Sequence, residues 1–253
     1  MITGASSGIG AQLALAYAEP GVTLMITGKN AARLNDIQQQ CQDSGATVIA
    51  LPLDIRDRAA VTTWVYEMDT AHPIDLVIAN AGVSSSIGPN GEAEPWKQIQ
   101  DSVDVNLMGV LHVITPLVDT MRKRGRGQIA LMSSLSGYRG MPQSPAYCAS
   151  KAAVKVYGEA LRGWLKPDGI SVTVICPGYV KSPMSDRLDG PKPFLVKPAQ
   201  AAKTIRRAIA NKRALVSFPF PLNLGTWLLS ILPIWLADPI MKGFDFSVRP
   251  RND

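Results

Sequence analysis

The chain has 253 residues, 46% of them hydrophobic and 18% charged, with a net charge of +6. That length supports one large domain or two small ones with a core of their own, and that composition excludes a disordered chain. The Lys and Arg are scattered, with small clusters at Arg122-Lys123-Arg124 and Arg206-Arg207. No basic stretch interleaves with aromatics, which argues against nucleic acid; a mildly cationic surface suits water, an anionic cofactor or substrate, or anionic lipid. Cys41, Cys148 and Cys176 are too few and too scattered for a disulfide framework or a zinc site, and they fit a reducing, cytoplasmic setting. His72 and His112 are the only histidines, so acid–base chemistry must rest on other side chains.

Along the chain, apolar runs alternate with helical patterns, the mark of a parallel sheet covered on both faces. A first strand ends at residues 1–3, so short that residues upstream of Met1 are expected to complete it. Helix Ile9–Glu19 follows, then strand Val22–Thr27, helix Ala31–Ser44, strand Thr47–Leu53, helix Arg58–Thr70 and strand Ile74–Ala79. A Ser-, Gly- and Pro-rich loop runs from Ser84 to Pro95. Next come helix Val103–Arg122, strand Gln128–Ser133, helix Ala146–Leu165 and strand Ser171–Cys176. Pro177–Pro198 reads as a second loop, before helix Pro198–Asn211 and strand Leu215–Phe218. This is an α/β fold, a Rossmann-type doubly wound sheet of about seven strands. One domain is expected over residues 1–218, followed by a hydrophobic extension, 219–253. Both long loops follow strand ends, where open α/β sheets place their ligands.

Two constellations carry chemistry. The first is Thr3-Gly4-Ala5-Ser6-Ser7-Gly8-Ile9-Gly10, between the first strand and the first helix. Glycines there allow a tight turn and a close approach of backbone to a pyrophosphate, while the free amides of the helix start face the phosphates. The second is Tyr147-Cys148-Ala149-Ser150-Lys151, with Ser134 thirteen positions before the tyrosine. Tyr147 and Lys151 share a helix face. A nearby ammonium favours the phenolate, so the tyrosine pKa is expected to fall from about 10 toward the working range. A phosphate cradle followed by a proton-transfer site is the layout of a nicotinamide-dependent oxidoreductase. At the end of the second strand, Gly28 stands where an NAD enzyme carries a ribose-binding acid, and Lys29 follows. An ammonium would attract a 2′-phosphate, so NADPH is expected over NAD.

The pattern T-G-x-x-x-G-x-G, together with Asn80-Ala81-Gly82, Tyr147-x-x-x-Lys151 and Pro177-Gly178, resembles the short-chain dehydrogenase/reductase family up to about residue 218. The resemblance implies a complete tetrad of Asn106, Ser134, Tyr147 and Lys151, and the family spacing prefers Ser134 to its neighbour Ser133. Asn106 would kink its helix and anchor a proton-relaying water. Ser134 would hold the substrate oxygen, Tyr147 would donate the proton, and Lys151 would also hold the nicotinamide ribose. The implied cofactor contacts are Gly4, Ser6, Ser7, Gly8, Ile9 and Gly10 at the phosphates, Lys29, Asp54 and Ile55 at the adenosine end, and Asn80, Ala81 and Gly82 beside the ribose. Pro177, Gly178, Val180 and Ser182 would meet the nicotinamide end, Ser182 replacing a threonine usual in the family. No metal is implied. A homodimer or homotetramer is, through the helices that carry Asn106 and Tyr147.

The segment 219–246 departs from the family pattern. Its run from Leu222 to Leu236 contains Trp227 and Trp235, is broken by Pro233, and falls short of the about 20 residues of a spanning helix. Three readings stay open: a lid at the substrate mouth, a subunit interface, or a shallow peripheral membrane contact with the tryptophans at the headgroups. With Tyr138, Met141, Met184, Leu188 and Phe194, it points to a lipophilic small-molecule carbonyl or alcohol as substrate. The alternatives to a carbonyl reductase are an NADPH-binding redox sensor without turnover and a membrane-surface scaffold.

Overall fold

The structure is a computed structural model that describes residues 1–88, 90–241 and 247–248. Its strands are β1 (Ile2–Thr3), β2 (Thr23–Gly28), β3 (Thr47–Pro52), β4 (Leu76–Ala79), β5 (Gly127–Met132), β6 (Ile170–Pro177), β7 (Leu188–Asp189), β8 (Leu215–Phe218) and β9 (Ser247–Val248). The helices are α1 (Gly8–Tyr17), α2 (Ala31–Asp43), α3 (Arg58–Ala71), α4 (Trp96–Val103), α5 (Gly109–Arg124), α6 (Pro145–Leu165), α7 (Pro183–Asp186), α8 (Pro198–Ala210), α9 (Leu222–Ile231) and α10 (Ile234–Met241). Seven strands form one parallel sheet in the order β3-β2-β1-β4-β5-β6-β8, and β7 pairs antiparallel with β9 apart from it. The order reverses beside β1, between β2 and β4, so ligands belong at the carboxyl ends of β1 and β4.

Side-chain alternation along the central strands builds two cores. In β4, Val77 and Ala79 enter the layer made with α3, α5 and α6, while Ile78 enters the layer made with α1, α2 and α8. Ile26, Ile78, Leu131 and Ile175 are essentially inaccessible. Burial of each stabilises the fold by about 1.5–3 kcal/mol. The helical stretch 96–124 is, among the described residues, long and apolar enough to cross a membrane; half of its apolar window is buried, because α5 is a core helix.

The sheet and most helices follow the sequence pattern within a residue or two. Three differences have physical causes. The helix expected from Val103 starts at Trp96, where Pro95 opens it; its few apolar positions, Trp96, Ile99 and Val103, are spaced among polar residues, and Trp96 and Val103 stay exposed. The segment expected as a Pro-rich loop, 177–198, contains α7, closed by a Ser182–Ser185 capping box, and β7, which has a partner only through β9. The extension forms two helices, α9 and α10, separated at Pro233; residues 242–246 of the segment 219–246 lie outside the described residues.

Candidate active site

β1 leads into a turn that demands glycine. Gly4 has φ +68°, and a Cβ there would stand 2.7 Å from the Cα of Ala81. At Gly10, in the first turn of α1, a Cβ would meet the Gly4 carbonyl and the Asn80 side chain. Thr3 and Asn80 lock this meeting of β1 and β4. The Thr3 hydroxyl accepts from the amides of Asn80 and Ala81, both at 3.1 Å, and the Asn80 amide group donates to the carbonyls of Thr3 (3.0 Å) and Gly4 (3.3 Å). Ser7 is the N-cap of α1 but makes no side-chain cap, which leaves the first helical amides open to an anion. Ile9 packs on the core beneath, and Gly8 lies against Ser182. The cradle fits a pyrophosphate: close backbone, free amides and no intruding side chain.

The far end of the cradle carries the charges. A Cβ at Gly28 would come within 2.8 Å of the Ser6 hydroxyl, so a carboxylate there would displace Ser6. Lys29 is more than half exposed, with its ammonium 3.3 Å from Asp54. The Asp54 carboxylate is gripped more closely by Arg56, at 2.6 Å, and Arg56 reaches on to Asp101 at 2.7 Å. That guanidinium, ahead of Lys29, holds the Asp54 carboxyl well below its usual range. Arg56 carried no sequence signal of its own, since a charged residue at a helix start usually meets only water. Ile55 is a core residue: its side chain packs on Gly109, and its carbonyl is hydrogen-bonded by His112 at 3.0 Å.

Asn106, Ser134, Tyr147 and Lys151 arrive from three elements. Asn106 is fully buried in a π-helical turn, Asp104–Met108, between α4 and α5. Its oxygen accepts from the Val83 amide (2.8 Å), and its amide group donates to the Val83 carbonyl and the Ser150 hydroxyl, both at 2.9 Å. Such turns carry one residue too many for a regular helix and turn a side chain aside. Ser134 ends the β5 segment, buried, within hydrogen-bonding reach of the Tyr147 phenol. Lys151 is buried on α6 and donates to the Met132 carbonyl at 2.9 Å. Its Nζ lies 5.8 Å from the centre of the Tyr147 ring. A Cβ on Gly82 would stand 3.3 Å from that Nζ and 3.2 Å from the Asn106 oxygen, so the Asn80–Gly82 turn joins cradle to tetrad.

The expected lowering of the Tyr147 pKa is corrected by this geometry. Burial pushes the phenol up to about 12, and the Ser134 hydrogen bond only partly opposes it. Burial likewise disfavours the charge of the ammonium, bringing Lys151 down to about 8. Three partners escaped the sequence: Ser150, which holds Asn106, the Met132 carbonyl, which holds Lys151, and Ser133, whose hydroxyl donates to the Lys151 carbonyl at 2.7 Å. Ser150 lies inside the Tyr147–Lys151 motif and was the one within reach of a motif reading.

On the other side of the tetrad, the Pro177 carbonyl accepts a long hydrogen bond from Ser134, 3.5 Å, and Gly178 donates to the Phe218 carbonyl at 2.7 Å. Val180 is buried and bridges to Val196. The Ser182 hydroxyl is occupied as the cap of α7, accepting from the Ser185 amide at 3.2 Å. Leu222 of α9 packs with Leu135 and Tyr138 and sits against Gly178, so the extension forms part of this wall. A cavity of about 480 Å³ lies behind the same loop, lined by residues such as Tyr138, Met141 and Cys148. Neither Ser134 nor Tyr147 lines it, so it adjoins these candidate groups without containing them.

The model of the short chain dehydrogenase family matches residues 1–192. An uncharacterized oxidoreductase of Myxococcus xanthus is 35% identical over 239 residues, 94% of each chain. The ketoacyl reductase HetN of a Nostoc species is 30% identical over 84% of this chain and 75% of its own. Among solved structures, a short-chain dehydrogenase from Sphingobium yanoikuyae, in complex with NADPH, superposes with a TM-score of 0.78 at 24% identity, covering 92% of this chain and 95% of that one.

Proposed function

The chain belongs to the short-chain dehydrogenase/reductase family and is an NAD(P)-dependent oxidoreductase acting on alcohol or ketone groups, and on that premise we propose that it is an NADPH-dependent reductase of lipophilic ketones. The observation that carries this reading is the convergence of Ser134, Tyr147 and Lys151 beside Gly82, with Asn106 locked behind them. Gly4, Ser6, Ser7, Gly8, Ile9 and Gly10 would hold the pyrophosphate, and Lys29 would take the 2′-phosphate, with Asp54 and Ile55 at the adenine. Asn80, Ala81, Gly82 and Lys151 would hold the ribose, and Pro177, Gly178, Val180 and Ser182 the nicotinamide end. The exclusion of a carboxylate at Gly28 supports NADPH over NADH.

NADPH supplies the hydride when bound. The protein's own residues orient the ketone and manage the proton. The Ser134 hydroxyl holds the substrate oxygen. The Tyr147 phenol, kept neutral by burial, donates its proton to that oxygen. Lys151 is charged at neutral pH and stabilises the phenolate left behind. Asn106 is a positioning residue: through Ser150 it fixes the turn of α6 from which Lys151 projects.

The apolar wall of Tyr138, Leu135 and Leu222 supports a lipophilic substrate, and the name of the ketoacyl reductase among the relatives agrees with carbonyl chemistry. Residues 1–218 form the catalytic unit and 219–253 an appended segment. We take the protein to be cytoplasmic and a homodimer or homotetramer. The test is the loss of NADPH absorbance across polar, steroid-like and long-chain ketones. Tyr147→Phe is expected to lower kcat by about 10²–10⁴-fold with cofactor affinity unchanged. Near-normal turnover in that variant, or a preference for NADH, would overturn the assignment.

A further inference from the structure

Helix α9 is turned inside out for a helix on a water-soluble surface. Leu224, Trp227, Leu228 and Ile231 recur at i, i+3, i+4 and i+7, the spacing of a single stripe, and all four are exposed, between 42% and 61%. The polar residues Asn223, Thr226 and Ser230 lie on the less exposed side. There they are satisfied locally: Asn223 donates to the Ser217 carbonyl, Thr226 to that of Leu222 and Ser230 to that of Trp227. No residue of α9 is buried. In α10 the pattern continues, with Ile234 68%, Trp235 73% and Ile240 48% exposed, while Ala237 and Met241 fasten the helix to the body. Phe220, ahead of α9, is 74% exposed. This is a contiguous stretch of chain with its apolar stripe toward the outside, not a scatter of single residues.

Its position ties it to the reaction. Leu222 packs against Gly178 and Leu135, and Asp238 of α10 pairs with Arg139 at 2.9 Å, on the loop that follows Ser134. The stripe therefore borders the substrate side of the tetrad. In the 177–198 segment, β7 pairs antiparallel with β9. The 177–198 segment adds Phe194 and Leu195, 54% and 46% exposed.

The make-up of the two helices and the charge of the chain that flanks them point to the occupant. Beyond residue 176 lie 12 of the 26 Lys and Arg but 5 of the 20 Asp and Glu, so this last part of the chain carries +7 and residues 1–176 carry −1. α9 and α10 themselves hold no Lys or Arg, and their one acid, Asp238, is paired with Arg139, so the stripe itself suits an apolar layer while the basic residues of the flanking chain suit anionic headgroups. An anionic bilayer attracts the Lys and Arg of the flanking chain that lie near its surface. Tryptophans suit the headgroup level. Helices of ten and eight residues are too short to cross a hydrocarbon core of about 30 Å and suit lying in its surface.

We propose that α9 and α10 dock on an anionic lipid surface and set the mouth of the active site against it, so that a lipophilic ketone enters from the bilayer. The second half rests on the reductase reading above; the first does not. The test is flotation of the full chain with vesicles of phosphatidylglycerol and phosphatidylcholine, beside a Trp227→Glu/Trp235→Glu variant. The full chain is expected to float with phosphatidylglycerol, less so at raised salt. The variant is expected to lose vesicle affinity roughly tenfold or more and to keep its thermal midpoint. Failure of the full chain to float, or equal binding by the variant, overturns the docking. So does a concentration-dependent dimer that the variant dissolves without any vesicle binding, which assigns the face to a second copy. Flotation needs no turnover, so an inactive protein that floats refutes only the reductase reading. For access from lipid, the variant's KM should rise for a long-chain ketone dissolved in vesicles and stay unchanged for a water-soluble ketone. Equal behaviour with both ketones overturns that half.

Discussion

The phosphate cradle and the α9–α10 extension are built on opposite principles. In the cradle, backbone meets backbone: Gly4 against Ala81, Gly10 against the Gly4 carbonyl, and the Asn80 side chain bonded to two carbonyls between them. Each contact there limits the atoms that fit. In the extension, α9 has no buried residue, and its largest side chains face outward. The first region reads as a site because little but glycine satisfies it. The second carries information in which way an apolar stripe points, and only a structure shows that. On the proposed function, the close-packed cradle would hold the cofactor and the outward apolar face would admit a lipophilic substrate.

The strongest way to break this comparison is a side chain at Gly4. Gly4→Val must adopt φ near +68° and displace Ala81, so it should cost about 3 kcal/mol of stability. It should also abolish NADPH binding by titration. A stable, cofactor-binding variant would mean that the turn is less constrained than its contacts imply.

An effect that leaves the cofactor cradle intact is expected from pH. The folded-state pKa of Lys151, about 8, lies below its ordinary 10.5, so between those values the unfolded chain binds more protons and stability rises with pH. Tyr147, raised from 10.0 to about 12, acts in reverse: the folded chain keeps its proton, and stability falls as pH climbs between those values. Subtracting the urea-unfolding profile of Lys151→Met from that of the native chain should isolate a rise that begins near pH 8. A flat difference would show that the burial around Lys151 is relieved in solution.

The smallest effect belongs to the extension. The Arg139–Asp238 pair is 20% and 60% exposed, so Asp238→Asn should change stability by under about 1 kcal/mol. A larger loss by thermal unfolding would make α10 a structural buttress and sharpen the boundary between catalytic body and docking face.

Much of this was legible from residues alone, and the reasons are particular. Gly4, Gly8 and Gly10 sit where a strand meets a helix, and such spacing has few other uses. Tyr147 and Lys151 share a face because helical periodicity requires it. The β-branched runs around Ile26, Val77 and Ile129 announced a buried parallel sheet because both faces of those strands must be apolar. Arg56 and the Met132 carbonyl were hidden because their roles arise only across the fold: Met132 and Lys151 are joined by the crossover from β5 to α6.

The amino-acid sequence thus determined the strand and helix periods, the glycine turn, and the order of cradle before tetrad, all of which depend on neighbours a few residues apart. Tertiary structure alone decided the rest. It set the balance of burial against charge at Tyr147 and Lys151, because desolvation depends on every element packed around a group. It also turned the apolar stripe of α9 outward, because periodicity shows that a stripe exists but only packing shows which way it faces.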